Sequence, residues 1–352
     1  MTAFLETANY ARTGECFGID EIVAHLLNSD VILALDAGGI WENARGLVFA
    51  LLGWQTMLYS PSFGTCPPQQ LAIADVLDGF TGQAFMAYKQ DQASAKHSLS
   101  DFLLGFGVML PRENTCIGDK VEDRQAFESL TIIDPGEFNG YLLESIAKIR
   151  IKWVDVLAPH LEFDTATNTL FLFRYPSFCV ANIPSYGDIS SRGVIHSCAS
   201  YNGCSTEWAS EADVTQLLQE ILLSYRLLFG QSRQSRRLFR SMDPFEGLPP
   251  EGHDPLLSLL CGGRKCMDSL AFAQDQAFYR PLRDFPVLRS RIASLHHQMS
   301  RMKPRGWREL WRDKRDSTQW FTFWAVIIIG GSGILLSLIQ VILQAVQLAG
   351  AR

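Results

Sequence analysis

Four groups of residues in this 352-residue chain have types and spacings that invite chemistry. Leu33-Ala-Leu-Asp36-Ala-Gly-Gly39 sets an acid and two glycines after an apolar run, as some sugar-kinase-like ATPases do to bring a carboxylate beside phosphate. That fold also needs a following Ser or Thr. Here Ile40 and a helical pattern follow, so we favour a turn between helices. His196-Ser-Cys198 with Cys204 gathers ligand types in one stretch. Zinc takes four ligands, commonly in close pairs, and the others would have to arrive from Cys179, Cys261 or Cys266 by folding. We expect an inert polar loop there, with no metal and no cofactor. Asp101, Asp134, Asp155 and Glu162 stand apart in the sequence and read as caps and surface charges rather than an acid/base pair. Arg236-Arg237-Leu238-Phe239 is either a docking peptide or the end of an amphipathic helix, and we favour the helix. The sequence holds no Gly-x-Ser-x-Gly, His-Glu-x-x-His, P-loop or Rossmann glycine triplet. No catalytic residue is assigned.

Among the elements that would position these groups, the strongest feature is apolar. Trp320–Ile339 reads WFTFWAVIIIGGSGILLSLI, twenty residues without a charge. At 1.5 Å per residue it reaches across about 30 Å, the thickness of a bilayer's hydrocarbon. We expect a transmembrane helix over 320–346, with Trp320, Phe321, Phe323, Trp324, Ile327, Gly330, Gly331, Gly333, Leu336 and Ile339 as the membrane-facing set. Seven Lys and Arg fall between Arg301 and Asp316, and one, Arg352, follows the span. Cations collect on the cytosolic flank of a span, so the N-terminal side is expected in the cytosol. The juxtamembrane set is Arg305, Trp307, Arg308, Trp311, Arg312, Lys314 and Arg315. Trp307, Leu310 and Trp311 share one helical stripe opposite Arg308, Arg312 and Arg315, which suits an interfacial helix on an anionic leaflet. A span this near Arg352 would insert after synthesis, as tail anchors do. Gly333-x-x-x-Ser337 and the one-faced Gln340, Gln344 and Gln347 leave room for self-association through the anchor; the alternative is that the glutamines sit in the far headgroups.

The remainder is a head that can build a core: 47% of the chain is apolar and 19% charged. Residues 1–300 hold 23 Lys and Arg against 34 Asp and Glu, net −11, which argues against non-specific nucleic-acid binding. Eight cysteines without a CxxC pair, no signal peptide and no Asn-x-Ser/Thr sequon point to reduced thiols. The expected fold is mainly α (α+β), with one small β-hairpin. Helices are read near Ile22–Leu27, over Trp41–Leu58, and at Leu71–Asp78, Ala84–Gln90 and Leu99–Met109. Asp134-Pro-Gly-Glu137 is a capping-box signal opening a helix with the stripe Phe138, Tyr141, Leu142, Ile146, Ile149 and Trp153, ending before Pro159. A hairpin is read over 160–183 with DTATN as its turn, then a long loop to Thr206. Ser210-Glu-Ala-Asp213 opens a second capped helix that Gly230 closes. The domain reading is a helical head over 1–240, a Pro/Gly-rich linker at 241–255, a helical extension at 256–300 and a basic segment at 301–319.

Arg312–Gln344, RDKRDSTQWFTFWAVIIIGGSGILLSLIQVILQ, resembles the C-terminus of a family of functionally uncharacterised filamentous-fungal membrane proteins. LALDAGGIWENARGLVFALLGWQTMLY, HLEFDTATNTLFLFRYPSFC, EILLSYRLLFGQSRQSRRLF and DFPVLRSRI resemble other stretches of it. The resemblance implies a single WFTFWAVIIIGG-type anchor and an accessory role beside secondary-metabolite pathways; it carries over no catalytic residue. Two readings stand. One is a non-enzymatic, tail-anchored recruitment protein, its head cytosolic at an internal membrane such as the endoplasmic reticulum; this we favour. The other is an accessory component or enzyme of a fungal biosynthetic pathway held near lipid-phase substrates. A pocket where His160, His196 or Cys198 meets a carboxylate would favour the enzyme.

Overall fold

A computed structural model describes the chain except for residues 15, 33–39, 65, 66, 68, 81, 83–85, 109, 119, 185–191, 200–208, 264–273, 303–316 and 351–352. It is helix-rich with two small sheets, and divides into two compact units, Met1–Arg301 and Met302–Arg352. No division falls at 241–255, where Phe245 is buried and Asp254 bonds to Ser177.

In the first unit α1 (Thr2–Thr13), α2 (Ile19–Asn28) and α3 (Ile40–Thr56) pack together. α3 turns Val48, Phe49, Ala50, Leu51 and Leu52 into the core. Phe49 stacks on Tyr59 at 4.6 Å and on Phe106 at 5.7 Å. Arg45 joins α3 to α2 through both oxygens of Asp20, at 2.6 and 2.8 Å. Among the described residues the helices read over 71–78 and 84–90 do not form: strands β1 (Gln70–Ala72) and β2 (Lys89–Asp91) pair antiparallel instead. Each run is too short to hold an isolated helix, and pairing satisfies its backbone. Then come α4 (Leu99–Gly105) and α5 (Val121–Ser129).

The Asp134 signal misplaces the next helix. Asp134 makes a tight turn, accepting from the Gly136 N–H at 2.6 Å, and the cap is Asn139, whose Oδ1 takes the Leu142 N–H. α6 is only Gly140–Ser145. Lys148 adopts φ 56° and the chain leaves as strand β3 (Arg150–Val154). β-branched and aromatic residues at 149, 151, 153 and 154 fit a pleated surface better than a helix. The expected hairpin forms from β4 (Phe163–Asp164) and β5 (Thr169–Phe173), with β3 parallel to β5 on its other side, so the order is β3-β5-β4. In the turn Asn168, at φ 55°, donates from Nδ2 to the Ala147 and Lys148 carbonyls, tying the hairpin to the helix-to-strand bend. Residues 176–182 are not strand but α7 (Pro176–Asn182).

α8 (Glu211–Tyr225) is capped as expected by Ser210 and Asp213, and buries Val214, Leu217, Leu218, Ile221, Leu222 and Tyr225. The Tyr225 hydroxyl donates to the Phe173 carbonyl at 2.6 Å, fixing α8 to β5. A π-helical turn, Arg226–Gly230, carries α8 toward α9 (Arg233–Ser241). α10 (Pro255–Gly262), α11 (Pro281–Asp284) and α12 (Arg289–Arg301) complete the unit. Asp254 serves two helices at once: it accepts the Leu256 N–H for α10 and the Ser177 N–H and hydroxyl for α7.

The second unit contains α13 (Ser317–Gly350), 34 residues of which Trp324–Gln344 is an unbroken apolar stretch with mean hydropathy 2.5 and no residue buried in the protein. Twenty-one residues reach about 32 Å, so this one helix is long and apolar enough to cross a membrane.

Candidate functional site

The residues with chemical potential in the sequence are mostly consumed by the fold. His160 is fully buried. Its Nδ1 accepts the Phe173 N–H at 3.1 Å, so Nε2 carries the proton and donates to Ser224 Oγ at 2.8 Å. Burial, helped by the Arg291 cation, lowers its pKa to about 3. His196 meets the Gly193 carbonyl at 3.2 Å and Thr215 Oγ1 at 3.0 Å, and burial lowers its pKa too. Cys198 is buried, which pushes its thiol pKa up and away from a thiolate. None of the three meets a carboxylate among the described residues. Asp36, Cys204 and Cys266 lie outside those residues, so the phosphate-loop and metal readings find no test there.

The isolated carboxylates are likewise structural. Asp101 shares the Ser98 cap, and Asp155 holds Arg174 through two bonds at 2.5 and 2.8 Å. Glu162 pairs with buried Arg291 at 2.9 Å, while Arg291 Nη1 donates to the Ala158 and His160 carbonyls. Arg236 donates to the Gly230 and Gln231 carbonyls, and Arg240 to Gly262, so this run closes the neighbouring turns rather than presenting a peptide. Glu220, in α8, accepts the Val287 and Leu288 N–H groups at 3.0 and 2.7 Å and the Gln216 amide at 3.1 Å. Desolvation outweighs these donors and raises its pKa to about 8.

Of the anchor set, Phe321, Ile327, Leu336 and Ile339 are exposed on α13, and a Cβ added at Gly330, Gly331 or Gly333 meets nothing within 4 Å. Trp320 and Phe323 lie in the same helix and Trp324 opens its apolar stretch. The juxtamembrane residues Arg305, Trp307, Arg308, Trp311, Arg312, Lys314 and Arg315 lie outside the described residues.

What sequence reasoning missed is a cleft of about 480 Å³ beside the β3-β5-β4 sheet. Four consecutive β3 residues, Arg150 to Trp153, line it, and Asp243, Pro244 and Glu246 also border it. Its charges are mixed. Lys152 is paired with Asp78 at 2.5 Å, whereas among the described residues Arg150 donates only to the Thr167 carbonyl. The Trp153 ring lies 6.0 Å from those of both Phe229 and Phe239, and its buried indole N–H has no acceptor among the described residues. The one sequence signal was the β-branched and aromatic content of 149–154, masked by a helical stripe. Compared with protein-family models, curated proteins and solved structures, the chain matches none.

Proposed function

We propose that this chain is a single-pass membrane protein whose compact head works as a recruitment module on the cytosolic face. The observation that carries the reading is Trp324–Gln344: apolar, continuous, and wholly unburied by the rest of the protein. Left in water, such a face would cost about 25 cal/mol for each Å² of apolar surface. Orientation is supported by seven cations between Arg301 and Asp316 against one after the span. The filamentous-fungal resemblance supports an accessory role in biosynthesis. Recruitment is preferred to catalysis because His160, His196 and Cys198 spend their polar atoms inside the fold. The small and amide residues of α13 support pairing of two anchors as a secondary feature.

Alkaline carbonate extraction of membranes tests the anchor, and protease added outside sealed vesicles tests the topology. The full chain is expected in the pellet, with the head digested from the cytosolic side. Recovery of the intact chain in the alkaline supernatant overturns the reading.

A further inference from the structure

We infer that the free edge of β3 captures an extended peptide segment of a partner protein, which adds to the sheet as one more short strand. The register decides which backbone groups are available. Arg150 donates its N–H to the Asn168 carbonyl, and the Val154 carbonyl accepts from the Arg174 N–H. With Arg150 opposite Thr169 and Val154 opposite Phe173, parallel pairing turns the N–H and C=O of residues 150, 152 and 154 toward β5. The N–H and C=O of Ile151 and Trp153 therefore point the other way. β3 is the outer strand of the order β3-β5-β4, and none of these four groups is hydrogen-bonded among the described residues. Both residues line the cleft.

Two donors and two acceptors at strand spacing are the pattern that a second extended backbone completes, and almost any other ligand leaves half of them unmet. The cleft also has charges to read side chains. Among the described residues Arg150 has no carboxylate partner, and the Glu246 carboxylate on the opposing segment has no cation partner. The occupant that fits is a stretch of about three extended residues, carrying one acidic and one basic side chain. This deepens the recruitment reading and rests on it for its purpose, although binding itself does not require a membrane.

The test uses the full chain in detergent micelles or nanodiscs against a displayed library of linear nine-residue peptides. Selected peptides are resynthesised with single backbone N-methyl groups and measured by fluorescence anisotropy. Binding is expected to fall at least tenfold when alternate residues are N-methylated and little when the residues between them are. Ile151→Pro removes only an outward N–H, leaves the β5 ladder whole, and is expected to weaken binding at least tenfold. Should that variant not fold, Arg150→Glu and Glu246→Lys must each shift the charge preference of the selected peptides. No enriched peptide, or binding indifferent to N-methylation and to all three variants, overturns the proposal. So does a disulfide between two Ile151→Cys copies in quantitative yield, which would assign the edge to a second copy of this chain. Carbonate extraction of the same preparations reads the membrane role separately, so either idea can fail alone.

Discussion

Gly230 closes the π-helical turn against the guanidinium of Arg226, and replacing it with alanine should be far more damaging than its backbone conformation suggests. Its φ is not in the left-handed region, so helix propensity alone predicts that Ala would stabilise by about 0.5–1 kcal/mol. Packing predicts the opposite. A Cβ there would sit 2.5 Å from Arg226 Nη1 and 2.6 Å from Nε. The guanidinium must retreat by about 1 Å to reach ordinary van der Waals separation. Arg226 is fully buried and cannot swing into water. It holds Asp275 with two bonds at 2.9 Å and the Leu260 and Gly263 carbonyls at 2.8 and 3.1 Å. Charge-assisted bonds contribute about 1.5–3 kcal/mol each, and a buried charge that loses its partner costs about 3–5 kcal/mol. Asp275 is 43% exposed and rehydrates when released, which discounts the total. The expected loss for Gly230→Ala is about 3 kcal/mol, or a fall in Tm of roughly 4–6 °C for a head of this size. Urea and thermal unfolding of the full chain in mild detergent, followed by tryptophan fluorescence, measure it. Arg226→Met is itself destabilising, but in that background Gly230→Ala should cost less than about 1 kcal/mol, because the flexible Met yields. A Gly230→Ala protein as stable as wild type, or one equally damaged in both backgrounds, would refute the argument.

Other expectations follow from the buried groups. Glu220 has a folded pKa raised from 4.5 to about 8, so it favours folding most below pH 4.5 and that contribution drains away as pH rises to about 8. Glu220→Gln imitates the protonated form and should flatten the decline in Tm between pH 5 and 8; an unchanged slope would place the titration elsewhere. His160 has the reverse sign: its folded pKa is lowered to about 3, so its contribution is complete above pH 6.5 and is lost as pH falls toward 3. Its imidazole should remain the neutral Nε2–H tautomer by NMR at pH 5. Asp254→Ala removes three bonds that cap α7 and α10 together and should cost about 2–3 kcal/mol in urea unfolding, with amide exchange accelerating in both helices.

The legible parts of the fold are those whose signal is long. α3, α8 and the apolar stretch of α13 run for 15 residues or more, enough for the helical period to outweigh any competitor. The Ser210–Asp213 capping box opens α8 because the apolar stripe behind it is continuous. The same motif at Asp134–Glu137 fails because the helix it would open is contested. Beyond Ser145, Ile149 to Val154 can bury the same side chains by pairing with β5, and β5 lies 19 residues further along. Nothing local records that alternative. β1 and β2 were lost for the same reason: three residues each, they are strands only because they meet.

The cleft was invisible for a deeper reason, since an edge is a property of a sheet rather than of a strand. Whether Ile151 exposes its backbone depends on which side β5 takes and on parity in the register, and shifting β3 by one residue would exchange the free groups for the bonded ones. Proteins usually protect short edges with charged side chains, and β3 does carry Arg150 and Lys152. Both, however, lie on the side-chain row of Thr169 and Phe171: Lys152 is drawn to Asp78, and Arg150 reaches the Thr167 carbonyl. Neither cation donates to the outward carbonyls of Ile151 and Trp153 among the described residues. An edge whose lysine is held by Asp78, and whose Arg150 meets a carbonyl but no carboxylate among the described residues, is better suited to admitting one chosen strand than to refusing all of them.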